Sequence, residues 1–304
     1  MTVRIHFQIS LTVITIGLVF AFGASATTTF PQEMKCAIGG KSFMYQAMMS
    51  NSSWGTRPDG KPYSPFPVFP APECPDNHLI MYRKFTADEL ARLKNLIASP
   101  EYTAMTGKDT QRYRMAWLEK SLVPQSEDYP WMLLAASWEA KDGSELRARY
   151  QAEFVAVVAQ LSAKPDDMGW LTLQLRAVNN LRELGHFAEA TAVLDAMPLQ
   201  KLSEGVPTDE KDFNALPEEK QIAWYFLDYI RRLRVAIARE DRSTEPLDLI
   251  PPRQAAERCF FEADGFAEFE KSYCQRAEIK EIIEKSKEYW EPQKVEQDKR
   301  KTQG

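Results

Sequence analysis

The residues best suited to metal or thiol chemistry are Cys36 in "MKCAIGGKSF" and Cys74 in "APECPDNHL", each of which reads as the opening half of a C-x-x-C metal knuckle. Gly39 and Asn77 stand where the second cysteines would fall. Two complete knuckles held face to face would surround one zinc ion with thiolates. With one sulfur left in each, the two survivors still face one another and can join as a disulfide where thiols are oxidised. The competing arrangement is a metal set of Cys36, Cys74 and His78 with a carboxylate such as Asp76, but neither cysteine pair has metal-ligand spacing. No metal and no cofactor are expected. The chain has four cysteines, and their even number favours disulfides. Three pairings are open; Cys36 and Cys74 share one N-terminal module, while Cys259 and Cys274 fall on opposite arms of a C-terminal helical hairpin. The local pairs 36–74 and 259–274 follow as the simplest choice.

Catalytic signatures are missing. There is no H-E-x-x-H, G-x-S-x-G, S-x-x-K, phosphate-binding loop or dinucleotide fingerprint. Of the histidines beyond residue 26, His186 sits in a helix–helix turn and His78 beside a knuckle, which leaves a His-dependent triad without a marked nucleophile. Paired carboxylates could hydrolyse a glycoside of the cell envelope, with Trp117, Trp131, Trp138, Trp170 and Trp224 as a sugar platform. Their positions on amphipathic helices favour core packing instead. The segment "NSSWGTRPDGKPY" offers a recognition loop with Trp54 as anchor and Arg57, Asp59, Lys61 and Tyr63 as directing groups. The plainer alternative is a turn-rich connection whose Trp54 covers a small core. Asn51-Ser-Ser53 also fits a glycosylation sequon, read here as coincidence.

The elements that must position these residues begin with an export signal. Arg4 and His6 precede an apolar run, and Ala24-Ser25-Ala26 has the small-x-small form of a signal-peptidase site, so residues 1–26 are expected to be removed and the chain to be periplasmic or secreted. The run from Leu11 to Phe22 is shorter than the roughly 20 residues of a spanning helix. No other membrane span is expected. A formal net charge of −5 argues against nucleic-acid binding, which calls for a basic face.

Residues 27–85 form a small irregular module with short strands, degenerate and zinc-ribbon-like. Pro62, Pro65, Pro67, Pro70, Pro72 and Pro75 forbid helix there. Residues 86–291 are helical. Thr86-Ala-Asp-Glu89 is a capping box and Ser99-Pro100-Glu101 a second helix start. Further helices are expected at about 109–122, 127–140 and 144–163, then a long one from Pro217, and two more at about 253–263 and 266–290. Residues 292–304 lack apolar anchors and are expected to be a disordered tail.

Leu181, Gly185, Phe187, Ala190, Leu194 and Pro198 lie in the order and spacing of the second part of a tetratricopeptide repeat: a turn glycine, a small residue at the helix crossing and a terminating proline. The fold class is thus mainly α, with irregular tetratricopeptide-like hairpins after a disulfide-linked module. Together, "CAIGGKSF", "SWGTRPDGKP", "PECPDN" and "TADELARLKNLIASPEY" resemble a widespread bacterial family of unknown function in which a C-x-x-C module precedes tetratricopeptide-like helices. The resemblance spans about residues 34–200 and departs at Gly39 and Asn77, so zinc binding is not carried over. It implies an architecture and a bacterial source. The expected role is a non-enzymatic scaffold or adaptor that holds a protein partner of the cell envelope in a groove between about 127 and 240; an envelope polymer hydrolase, or a metal or thiol protein, is the alternative.

Overall fold

A computed structural model describes residues 27–208 and 210–303. The expected signal segment 1–26 lies outside the described residues. The chain opens on an antiparallel hairpin of β1 (Thr27–Lys35) and β2 (Ser42–Asn51), with a bulge between Thr28 and Thr29. These strands are longer than the short ones expected. Alternation explains them: Phe43, Tyr45 and Ala47 lie half-buried on one face, and Met44, Gln46 and Met48 are exposed on the other. Tyr45 donates its hydroxyl to the Pro70 carbonyl at 2.7 Å and meets the Phe69 ring edge-on, so the proline-rich segment lies under the buried face.

Helices follow as α1 (Ala87–Ile97), α2 (Pro100–Met105), α3 (Gln111–Leu122), α4 (Tyr129–Glu139), α5 (Glu145–Val158), α6 (Met168–Leu184), α7 (Phe187–Asp195), α8 (Gln200–Ser203), α9 (Glu218–Ala238), α10 (Pro252–Phe261), α11 (Glu268–Cys274) and α12 (Ala277–Gln303). Local chemistry sets their ends. The Thr86 hydroxyl accepts from the Glu89 N–H at 3.2 Å while the Glu89 carboxylate accepts from the Thr86 N–H at 2.8 Å, completing the capping box. Ser99 caps α2 in the same way through the Tyr102 N–H. Gly185 ends α6 at φ +85°, a left-handed conformation that a side chain would oppose.

From α3 to α7 each helix packs on the next, and α9 returns against α6 and α7. Leu175, Val178 and Leu181 of α6, Ala190 and Leu194 of α7, and Leu233 and Ile237 of α9 form one core. Ala190 is fully buried, as the close crossing requires.

The N-terminal module shares its core with the helices: Cys36, Cys74 and Leu79 pack with Leu93, Ile97, Tyr102, Met105, Leu118 and Leu122 of α1–α3. A proline-rich chain makes too little regular structure to bury its own apolar groups, and it takes that burial from the helices. Arg114 of α3 clamps Glu73 at 2.8 and 3.0 Å, and Tyr102 donates to the His78 carbonyl at 2.7 Å. The helix expected over 266–290 breaks at Gln275–Arg276, giving α11 and α12. The expected tail is helix: α12 runs to Gln303, tied to α10 by the buried Trp290 and by Lys294 donating to the Phe260 carbonyl at 2.7 Å. No helix of the described residues is long and apolar enough to cross a membrane.

Candidate functional site

Both expected disulfides are present, Cys36–Cys74 and Cys259–Cys274, each with Cα atoms 5.6 Å apart. The two half-knuckles have matching geometry. Cys36 N–H donates to the Lys41 carbonyl and Cys74 N–H to the Leu79 carbonyl, both at 2.9 Å. The fifth residue of each turn is left-handed, Gly40 at φ +71° and His78 at φ +57°. Asn77, standing in the place of a second cysteine, reaches across to the other turn and donates to the Ile38 carbonyl at 2.9 Å. A covalent bond and a hydrogen bond therefore join the turns. Ligand atoms of Cys36, Cys74 and Asp76 lie within 4.8 Å of one another, but both sulfurs are spent in the S–S bond and offer no thiolate. His78 is not part of that group, since its Nδ1 lies 2.9 Å from Glu73 Oε1.

The segment expected to stand out as a recognition loop is instead inserted among the helices. Trp54 N–H donates to the Tyr63 carbonyl at 3.0 Å and Tyr63 N–H to the Gly55 carbonyl at 2.9 Å, closing a small hairpin. At its tip Arg57-Pro58-Asp59-Gly60 is a β-turn, with Gly60 N–H donating to the Arg57 carbonyl at 2.9 Å and proline at the second position. Arg57 is only 5% exposed and Asp59 is fully buried. Lys61 and Tyr63 are half-buried, and Trp54 alone stays out at 49%.

Polar groups from four helices and the loop after α4 hold this tip. The Pro58 carbonyl accepts from Arg176 of α6 at 2.5 Å and from the Tyr229 hydroxyl of α9 at 3.0 Å. The Asp59 carbonyl accepts from the Trp138 indole of α4 at 3.2 Å. Arg57 makes a two-pronged bond to Asp142 at 3.0 and 3.3 Å. Arg147 of α5 donates through one nitrogen to both Asp59 at 2.9 Å and Glu183 of α6 at 2.8 Å, and through the other to the Ser137 carbonyl at 2.8 Å. Gln151 and Asn179 complete the shell of Glu183 at 2.8 and 2.9 Å.

Burial and neighbouring charge set the protonation tendencies. Burial, reinforced by the Asp59 charge, pushes the Glu183 carboxyl up against the pull of Arg147 and Arg182. Burial opposes the Arg57 charge, but Asp59, Asp142 and Glu245 outweigh it and hold the guanidinium above its ordinary value. Lys61 is pushed down by burial and then by Arg57.

Gly55 sets the angle at which the loop enters. It has φ +124°, and a Cβ there would meet the Pro251 side chain at 2.5 Å. Gly55→Ala is expected to lower stability by about 2 kcal/mol or more, combining an unfavourable backbone with a steric clash. Urea unfolding checks this, and an unchanged midpoint would show that the loop does not press on Pro251.

Beside the inserted tip lies an open cavity of about 520 Å³ between α6, α9 and the start of α10. Its walls are apolar, from Leu175, Ile222, Tyr225, Phe226, Leu249 and Pro251, with Arg57, Arg176 and Arg232 as its charged groups. No acidic side chain lines it among the described residues. Ile222 and Tyr225, which line it, are 52% and 58% exposed.

The tryptophans form no platform. Trp117, Trp138 and Trp170 pack against three different cores, Trp224 is buried and Trp131 is partly exposed. Asp59 and Glu183 converge on Arg147, are buried and line none of the described cavities. That arrangement does not suit a hydrolytic acid pair, which must reach substrate and water.

The cavity and the docked loop escaped the sequence reading. One signal pointed to them: Asn179, Asn180, Arg182 and Glu183 form a nearly continuous polar run within α6, and all four are buried. A polar run on an internal helix demands polar partners from elsewhere in the chain. The chain matches no protein-family model, no curated protein and no solved structure. Fold and site define it as a mainly helical, doubly disulfide-linked protein in which an N-terminal loop completes the surface of a helical array.

Proposed function

We propose that this is an exported, non-enzymatic scaffold or adaptor that binds a protein partner of the cell envelope through the surface shared by α6, α9 and the inserted loop, on a framework of tetratricopeptide-like hairpins. The same reading groups it with bacterial proteins that carry a C-x-x-C module before such helices. One observation carries the binding role. The helices already hold a polypeptide segment by donating side-chain hydrogen bonds to its backbone carbonyls at Pro58 and Asp59, and an unfilled apolar cavity continues that surface. Stacked helical hairpins present extended concave surfaces that suit a bound segment. The two disulfides suit an oxidising compartment.

In this reading the binding surface expected over residues 127–240 is shared with the inserted loop, whose tip is bonded to Trp138, Arg176 and Tyr229. The test is a photo-crosslinker at position 225 in the full-length protein, expressed in its natural envelope. A specific adduct that Ile222→Asp abolishes is the expected result. Adducts no stronger than those from a crosslinker on the exposed outer face of α12 would sink the proposal. Intact mass of the same material is expected to show loss of residues 1–26.

A further inference from the structure

We infer that the cavity between α6, α9 and α10 receives the C-terminus of a partner polypeptide, its last apolar side chain entering the cavity and its free carboxylate meeting Arg176. This rests on the docking role proposed above and specifies what docks.

Charge is the first argument. Three arginines line the cavity and no acidic side chain does. Arg57 is neutralised by Asp142, and Arg232 by Asp228 at 2.8 Å. Arg176 has no carboxylate within salt-bridge distance among the described residues. One of its nitrogens is engaged by the Pro58 carbonyl, and its guanidinium lies 5.9 Å from the centre of the Tyr229 ring. An unneutralised guanidinium lining a mainly apolar cavity selects an anion, and its planar fork suits a carboxylate.

Shape and continuity identify the body that carries the anion. The cavity is of the size that takes one or two large side chains, and its aromatic walls, Tyr225 and Phe226, suit an apolar residue. Gly55, Thr56 and Arg57 contribute to one wall, so an entering chain would lie beside a loop whose next carbonyl, at Pro58, the same helices already hold. A polypeptide end combines the three requirements: an apolar side chain, an adjacent carboxylate and a backbone able to run beside the loop.

The experiment uses the full disulfide-bonded protein and fluorescein-labelled hexapeptides of one neutral sequence ending in Phe, Leu or Lys, each made with a free C-terminal carboxylate and as the amide. Fluorescence anisotropy is expected to show binding of the Phe and Leu acids, at least ten-fold weaker binding of the amides, and a loss of the difference in Arg176→Gln. Ile222→Ser, which alters an exposed wall, is expected to weaken acid and amide alike. The acid–amide comparison on the unaltered protein keeps the test decisive should Arg176→Gln disturb the loop. Equal affinity for acid and amide would overturn the inference, as would binding of dodecanoate with no binding of any peptide. If the peptides fail while position 225 still crosslinks a partner, the carboxylate assignment falls and the docking role stands. Failure of both removes both.

Discussion

Replacing Arg147 by Met is expected to destabilise the protein by about 3–5 kcal/mol at pH 7, the range typical of a buried ion pair that loses one partner. Its guanidinium is the only group that touches both Asp59 and Glu183 among the bonds described, and the side chains of all three are 3% exposed or less. Without it, Asp59 keeps Arg57 at 3.6 Å and Glu183 keeps Arg182 at 3.7 Å, but no cation bridges the two buried carboxylates. Glu183 responds by taking up a proton more readily, and the direction of the pH dependence follows. Burial already lifts the Glu183 carboxyl in the intact protein. In the variant its folded pKa lies further above the unfolded value, so the folded state binds more protons in the interval between them. Stability must then rise as pH falls through that interval. Urea unfolding at pH 7 and pH 5 is expected to show part of the loss recovered at the lower pH, and Arg147→Lys should fall between the two proteins because a single ammonium cannot reproduce the fork. A loss below about 1 kcal/mol, with no pH dependence, would mean that the inserted loop is held by something other than this network.

The second large effect concerns the knuckles. Cys36→Ser with Cys74→Ser opens a loop with a sequence separation of 38 residues, and chain entropy puts the loss at about 4 kcal/mol. Opening Cys259–Cys274, with a separation of 15, is expected to remove about 3 kcal/mol. The first loss should reach further into the molecule. Cys36 and Cys74 sit inside the core they share with α1–α3, so the serines would also place hydroxyls among Leu79, Leu93 and Leu118. Denaturation followed by circular dichroism, with the doubly oxidised protein as reference, tests both values. An unchanged midpoint for the first pair would show that the hydrogen bonds across the knuckles suffice without the sulfur link.

What could be read from the sequence was local. Thr86 and Glu89, Ser99 and Pro100, Gly185 and Pro217 act within one helical turn, and each marks a boundary that the structure keeps. The disulfide pairing was legible for a related reason, since the partners share a module or neighbouring helices. The docked loop was not, because Arg57-Pro58-Asp59-Gly60 has the composition of a solvent-facing turn and its burial is decided by residues far along the chain. The C-terminal helix failed in the opposite sense. "QKVEQDKRKTQG" carries no apolar stripe, yet α12 continues into it as far as Gln303, supported by the Lys294 contact with α10 and by pairs such as Glu296–Arg300 at 3.3 Å.

The Pro58 carbonyl has a consequence for the order in which the molecule assembles. Its two donors, Arg176 and Tyr229, lie 118 and 171 residues further along the chain. An N-terminal segment that closes only on such distant partners contributes the slowest kind of contact, since loop closure must come before any bond rewards it. In chain order the disulfide-linked turns can form as soon as α1–α3 exist, and the tip between them gains its partners in stages, Trp138, Asp142, Arg147 and Arg176 first and Tyr229 last. The tip of an early loop is thus among the last parts to be fully bonded, and a polypeptide cut short before residue 229 would lack the final hydroxyl bond to the Pro58 carbonyl.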